Sequence, residues 1–158
     1  MKNIVLARID ERLIHGQVAT QWLNLIAANT IVVADDKIPS DNFMSMILKA
    51  VCPRNSELHL LTASQAAEFL KGEEGTERIF LVTKGPEAML KMIEEGCQFK
   101  EIILGNMGNA AGRKMFNRNV SASPEEVECF RKIIEKGVPI YQQMVPVDSK
   151  VDISNLIK

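Results

Sequence analysis

Several residue types are scarce in this chain, and each scarcity excludes something. Of 158 residues, two are histidine, three are cysteine, and tryptophan and tyrosine occur once each. Cys52, Cys97 and Cys129 are odd in number and far apart, and no Cys-x-x-Cys occurs. That argues against a disulfide-stapled fold or a cysteine zinc site, and for three reduced thiols packed as small apolar side chains. His15 and His59 are too isolated to suggest a metal site, and no metal or cofactor is expected. No segment approaches the ~20 apolar residues needed to cross a bilayer. Arg8, Asp10, Glu11 and Arg12 interrupt the N-terminal apolar stretch, which does not follow the plan of a secretory signal. Neither sign of charge prevails: 19 Lys and Arg stand against 20 Asp and Glu, a net −1. Nothing here suggests a basic field for nucleic acid or for a membrane surface. No Gly-x-Gly-x-x-Gly follows the first apolar run, so the dinucleotide-binding fingerprint is missing. A cytoplasmic protein is expected, reaching a membrane only through a partner.

What is present reads as one α/β domain over residues 1–158. Hydrophobic residues make up 46% and charged residues 25%, an ordinary composition for a chain that can bury a sizeable core. Apolar, β-branched runs at Ile4–Ala7, Thr30–Ala34, Glu57–Leu61, Arg78–Thr83 and Glu101–Gly105 read as strands. Asn119–Ala122 and Pro139–Val145 add two more. Helical patterns lie between them. In the first, Val18, Trp22, Leu25 and Ile26 share a face. In the second, opened by Pro39-Ser40 and stopped by Pro53, the shared face is Phe43, Met46, Ile47, Ala50 and Val51. Thr62-Ala63-Ser64-Gln65 resembles a capping box and starts a short helix ending at Gly72. Pro86 to Gly96 forms another, with Met89, Leu90 and Ile93 inward. Ser123-Pro124-Glu125-Glu126 starts the last, with Val127, Phe130 and Ile134 inward and Gly137 at its end. Residues 106–118 read as a long loop, and Val147 to Lys158 as a final pairing or short helix. Strands joined by helical crossovers imply a mostly parallel sheet covered by helices on both faces.

The chemistry concentrates in Arg8-Ile9-Asp10-Glu11-Arg12-Leu13-Ile14-His15-Gly16-Gln17-Val18. This is a strand-to-helix connection, where open α/β sheets place ligands. Gly16 lets backbone approach closely, and the helix start offers free N–H groups to an anion. A histidine at a helix start is more often a cap or a packed side chain than a catalyst. The combination with two arginines, two carboxylates and a glycine favours a nucleophile toward phosphorus, flanked by guanidinium forks. Asp10 or a backbone carbonyl would orient the ring, and Arg8 would bind phosphate or buttress Asp10.

This stretch closely resembles the signature of the IIB components of the mannose/fructose/sorbose family of bacterial sugar phosphotransferase systems, and the order of segments matches such a domain along the whole chain. The resemblance implies an α/β fold with an open, mostly parallel sheet of about seven strands and helices on both faces, and the activity of a protein-N(pi)-phosphohistidine–sugar phosphotransferase. His15 would receive a phosphoryl group from a phosphohistidine on a IIA protein and pass it to a sugar entering through a membrane IIC/IID pair. Arg12 aligns with the arginine needed for transfer to sugar. No cofactor is implied, and a homo-oligomer is left open. Some other IIB classes use a phosphocysteine, but none of the three cysteines sits in a loop resembling that arrangement. The Arg8–His15 motif and Gly105-Asn106-Met107 look most similar to the N-acetylgalactosamine or galactosamine branches.

In such a sheet the loops after successive strands gather along one edge. That edge would bring Thr83, Lys84 and Gly85 to the side of a phosphoryl group opposite Arg12, with the Thr83 hydroxyl and nearby N–H groups cradling its oxygens. Asp35-Asp36 fits a solvated turn or cap, Gly105 to Gly108 a docking rim, and His59 a structural place in a strand. The alternative reading is a non-enzymatic phospho-receiver or signalling module, which also has an open parallel sheet. Receivers carry an acidic pair after the first strand and a phosphorylated Asp after the third, and here the third ends in Leu61-Thr62.

Overall fold

Five parallel crossovers and one antiparallel return build a seven-stranded sheet in the computed structural model, which describes residues 1–157 apart from the side chains of Gln17 and Val18. The strands are β1 (Asn3–Ile9), β2 (Thr30–Ala34), β3 (Glu57–Leu61), β4 (Arg78–Thr83), β5 (Ile102–Leu104), β8 (Ile140–Gln142) and β9 (Val151–Asp152), in the order β3-β2-β4-β1-β5-β8-β9. Every pairing in the sheet is parallel except β8 with β9. A separate antiparallel hairpin joins β6 (Lys114–Asn117) to β7 (Val120–Ala122).

The helices are α1 (Gly16–Ile26), α2 (Asn42–Val51), α3 (Ala63–Leu70), α4 (Pro86–Glu94) and α5 (Pro124–Glu135). Alternation along the strands splits the core in two. Phe80 and Val82 of β4, with Leu6, Ile31, Val33 and Ile103, pack against Trp22 and Leu23 of α1 and Leu48 of α2. Ile79 and Leu81, with Ile9, Val32, Ile102 and Leu104, pack against α3, α4 and α5 on the other face. Both faces are covered, so the period-two pattern is apolar on both sides and the strands read as continuous hydrophobic runs. All five residues of β2 are buried.

Four expectations need correction. The inward stripe of α1 is Ala19, Trp22, Leu23 and Ile26, while Leu25 is 65% exposed; the side chain of Val18 lies outside the described residues. The apolar face of α2 points to solvent. Phe43 is 66% exposed, Met46, Ile47 and Val51 are also exposed, and Leu48 is the residue that α2 buries. The helix packs mainly on the turn Ile38–Ser40 and reaches the core chiefly through Leu48. Residues 106–118 are not all loop, because β6 occupies part of them. Asn119–Ala122 pairs with β6 instead of entering the main sheet, and the seventh strand is β9, in the tail.

Register sets the site. Ile9 of β1 lies beside Thr83 of β4 and Leu104 of β5, so three strands end level and their loops emerge side by side. From β1 the chain goes to α1 on one face; from the neighbouring β4 it goes to α4 on the other. The connections part there, which is the switch point at which open sheets bind ligands.

Candidate functional site

Backbone hydrogen bonds lock the loop after β1 to its neighbours. The Asp10 N–H donates to the Thr83 carbonyl and the Glu11 N–H to the Asn106 carbonyl, each at 2.9 Å. Asp10 is fully buried and serves three groups. Its Oδ1 accepts from the Arg12 backbone N–H at 3.0 Å and lies 3.6 Å from Arg12 Nε; its Oδ2 accepts from Arg8 Nη2 at 3.3 Å.

Arg8 is also buried. Its Nη1 and Nη2 donate to the carbonyls of Gln143 and Met144, each at 2.9 Å, and its guanidinium lies over the Trp22 ring. Burial pulls the Arg8 pKa down from its ordinary value, and Asp10 opposes that pull. Three of its five donors are therefore spent on protein, and Arg8 buttresses Asp10 and the 143–144 segment. Gly105 follows from this packing. A Cβ there would fall onto the Arg8 guanidinium and within 2.8 Å of Asp10 Oδ2.

Arg12 is different. Its side chain is 45% exposed, held by Asp10 and by a 3.8 Å contact from Nη2 to the Met144 sulfur. Its backbone is fixed while its head can meet an incoming anion. It shares an open cleft of about 540 Å³ with Lys84, Gly85, Glu87, Glu11, Arg113 and Glu126. Lys84 is exposed there. Thr83 is not: it is fully buried, and its hydroxyl donates to the Gly85 carbonyl at 2.8 Å. That hydroxyl shapes the turn into α4 in place of facing the cleft.

Leu13 is buried with φ +59°, a left-handed conformation that costs a branched side chain roughly 1–3 kcal/mol and persists only where its surroundings enforce it. Its carbonyl lies 3.3 Å from His15 Nδ1. Of the two orienting groups open to the sequence, the backbone carbonyl is therefore the one beside the ring, and Asp10 is committed elsewhere. His15 Nε2 is buried without a hydrogen-bond partner. His15 is the N-cap of α1, with extended backbone and no side-chain cap bond. Gly16 has φ +39°, and a Cβ there would meet nothing within 4 Å. The glycine is needed for its backbone conformation, not for close approach.

Sequence reasoning missed a second layer. Glu11 Oε1 accepts from the Gly108 N–H at 2.7 Å and from Asn106 Nδ2 at 3.3 Å. Its Oε2 pairs with Arg113 Nη1 at 2.9 Å. Arg113 then grips Glu126 with Nε at 2.9 Å and Nη2 at 2.8 Å. Glu126 also closes the capping box of α5 with Ser123. Only the capping box was visible in the sequence, because the other partners lie 13 to 102 residues apart.

The three thiols are free, and burial pushes the pKa of Cys52, Cys97 and Cys129 upward. Protonated thiols are poor nucleophiles. Among the described residues, no group of three or more His, Cys, Asp or Glu is placed to hold a metal ion. Asp35 accepts from the N–H groups of Lys37 and Ile38, as a cap does, and His59 pairs with Glu57 beside Phe69.

The profile of the phosphotransferase-system sorbose subfamily IIB component matches residues 4–158. The chain belongs to that family. IIB components of the mannose/sorbose type are sugar phosphotransferases that work with IIA and with IIC/IID components of the same systems. The IIB chain is 32% identical over 157 residues to the N-acetylgalactosamine-specific IIB component 2 of Escherichia coli K12, covering 99% of this chain and 100% of that one. It is 30% identical over 160 residues to the fructose-specific EIIB component of Bacillus subtilis 168, covering 100% and 98%. The crystal structure of the IIBSor domain of the sorbose permease from Klebsiella pneumoniae superposes with a TM-score of 0.92 at 28% identity, covering 98% of this chain and 96% of that one. No helix among the described residues is long and apolar enough to cross a membrane.

Proposed function

We propose that this IIB chain, acting as one domain in the cytoplasm beside its membrane partners, carries the phosphoryl group on His15. The observation that supports this is the loop itself: a histidine at the carboxyl edge of the sheet, three residues after an arginine whose guanidinium is half-exposed, at the point where the connections from β1 and β4 part. A ring nitrogen of His15 attacks the phosphorus of phospho-IIA, the N–P bond to IIA breaks, and the new N–P bond forms on His15. In the second step a sugar hydroxyl attacks the same phosphorus. The His15 N–P bond breaks, the hydroxyl proton is released, and the sugar phosphate leaves. Such transfers need alignment and charge stabilisation more than covalent help.

Arg12 supplies the charge in the second step. Lys84 faces the same cleft, and Thr83, Gly16, Arg8 and Asp10 hold the frame. N(pi) is Nδ1, so phosphorylation there requires the ring to leave the Leu13 carbonyl. For the sugar we propose N-acetylgalactosamine or galactosamine, supported by the 32% identity to the E. coli component, with fructose and sorbose relatives close behind.

The test is the intact mass of the wild type and of His15→Ala after incubation with phosphoenolpyruvate, the general phosphotransferase proteins and a charged IIA. One added phosphoryl group on the wild type alone is expected. Equal labelling of His15→Ala removes His15 from the mechanism. Adding membranes with IIC and IID and each amino sugar, mannose, fructose or sorbose then identifies the acceptor. A phosphate lost in alkali and carried on a carboxylate would favour the receiver reading.

A further inference from the structure

Arg113 is placed to act on the site without touching it. Four of its five N–H groups are engaged: two with Glu126, one with Glu11 and one with the Gly108 carbonyl at 2.9 Å. Its side chain is 17% exposed, and its charge lies between two carboxylates. It is therefore not a free clamp for a phosphate, although it lines the cleft that holds Arg12 and Lys84. At one end, Glu126 is fixed to the first turn of α5 by the Ser123 N–H at 2.9 Å. At the other, Glu11 directly precedes Arg12 and is tied to the 106–108 segment through its backbone and its side chain.

We infer that Arg113 is a positioning residue for the phosphoryl relay, holding Glu11, and with it the backbone of Arg12, against α5 and the loop after β5. This rests on the proposed roles of His15 and Arg12. The chain of contacts is continuous: α5, Glu126, Arg113, Glu11, Arg12. A guanidinium is needed because a planar fork can span both carboxylates, whereas an ammonium is a single point. His15 is less dependent on this chain, because buried Leu13 and Ile14 separate it from Glu11. Loosening Glu11 therefore disturbs the step that uses Arg12 more than the step in which His15 accepts phosphate.

Two variants separate position from charge. Arg113→Gln makes the cleft more negative, and Glu11→Gln makes it less negative, yet both break the same link. Each is measured for acceptance from phospho-IIA and for transfer to sugar in the reconstituted system, beside wild type, Arg113→Lys and His15→Ala, with amide exchange at Glu11 and Gly108. Both Gln variants are expected to accept phosphate within threefold of wild type, to transfer it at least tenfold more slowly, and to exchange those amides faster. Arg113→Lys is expected to recover only part of the loss. Effects of opposite sign in the two Gln variants would assign the role to the cleft's field and overturn the inference, as would wild-type transfer in both or full recovery by lysine. If Arg113→Gln does not fold, Glu11→Gln and Arg113→Lys decide the matter. Labelling of His15→Ala would show instead that the underlying reading had failed.

Discussion

Asp10 joins a buried cation, Arg8, to an exposed one, Arg12, and its removal strands the buried partner. Losing one member of a buried pair costs about 3–5 kcal/mol. Asp10→Ala is therefore expected to lower the urea midpoint by that amount of stability and to lose activity, while Arg12→Ala keeps the midpoint. Arg12→Ala is expected to accept phosphate normally and to slow transfer to sugar by about 10²–10³, the scale of one lost charge-stabilising donor. Unchanged sugar phosphorylation would exclude that role. Cys52→Ala, Cys97→Ala and Cys129→Ala are each expected to label with phosphate as wild type does, since burial keeps these thiols protonated. At this scale the motif from Arg8 to His15 was legible because its members are neighbours in sequence. Whether Arg8 binds phosphate as Arg12 does or buttresses Asp10 was not. Two arginines four positions apart look alike until the 143–144 segment covers one of them.

Elements were legible where burial is two-sided. β2, β3 and β4 have the limits that their apolar runs imply, and the capping boxes of α3 and α5 form as written. α2 defeats the same logic. Its apolar residues follow a helical period, but a helix that packs mainly on the turn Ile38–Ser40 buries Leu48 and leaves Phe43 in solvent. Phe43→Lys is accordingly expected to change stability by no more than about 0.5 kcal/mol, the usual range for exposed positions, read by thermal melting. β6 escaped notice because Lys114–Asn117 lacks a clear alternation. α5 carries a pH signature. Burial pushes the Glu126 carboxyl up, but the bonds from Arg113 and the Ser123 N–H more than offset that, so its pKa lies below the ordinary glutamate range. A depressed carboxylate stabilises above its unfolded-state pKa, and that contribution disappears as pH falls through the folded value. Glu126→Gln is expected to flatten the acid limb of the stability profile below the glutamate range. An acid limb as steep as wild type would show that this pair does not contribute.

For the molecule as a whole, the alternation of apolar runs with helices was enough to anticipate a parallel sheet covered on both faces. It could not reveal which strands end level, and that register puts the loops of β1, β4 and β5 together. Trp22, the only tryptophan, reports on both ends of the chain, because its indole N–H donates to the Met144 carbonyl at 3.0 Å while Arg8 lies over its ring. Urea unfolding followed by Trp22 fluorescence is expected to coincide with the loss of helical circular dichroism, the mark of a single cooperative transition. An earlier fluorescence change would mean that the 143–144 segment detaches first. That segment also bears on synthesis. Arg8 leaves the ribosome well before the carbonyls that receive it, which follow 135 and 136 residues later. A nascent chain can already display His15 while Arg8 and Trp22 still lack those partners, so the loop proposed to accept phosphate is finished only once residues 143–144 have emerged and not when its own motif does.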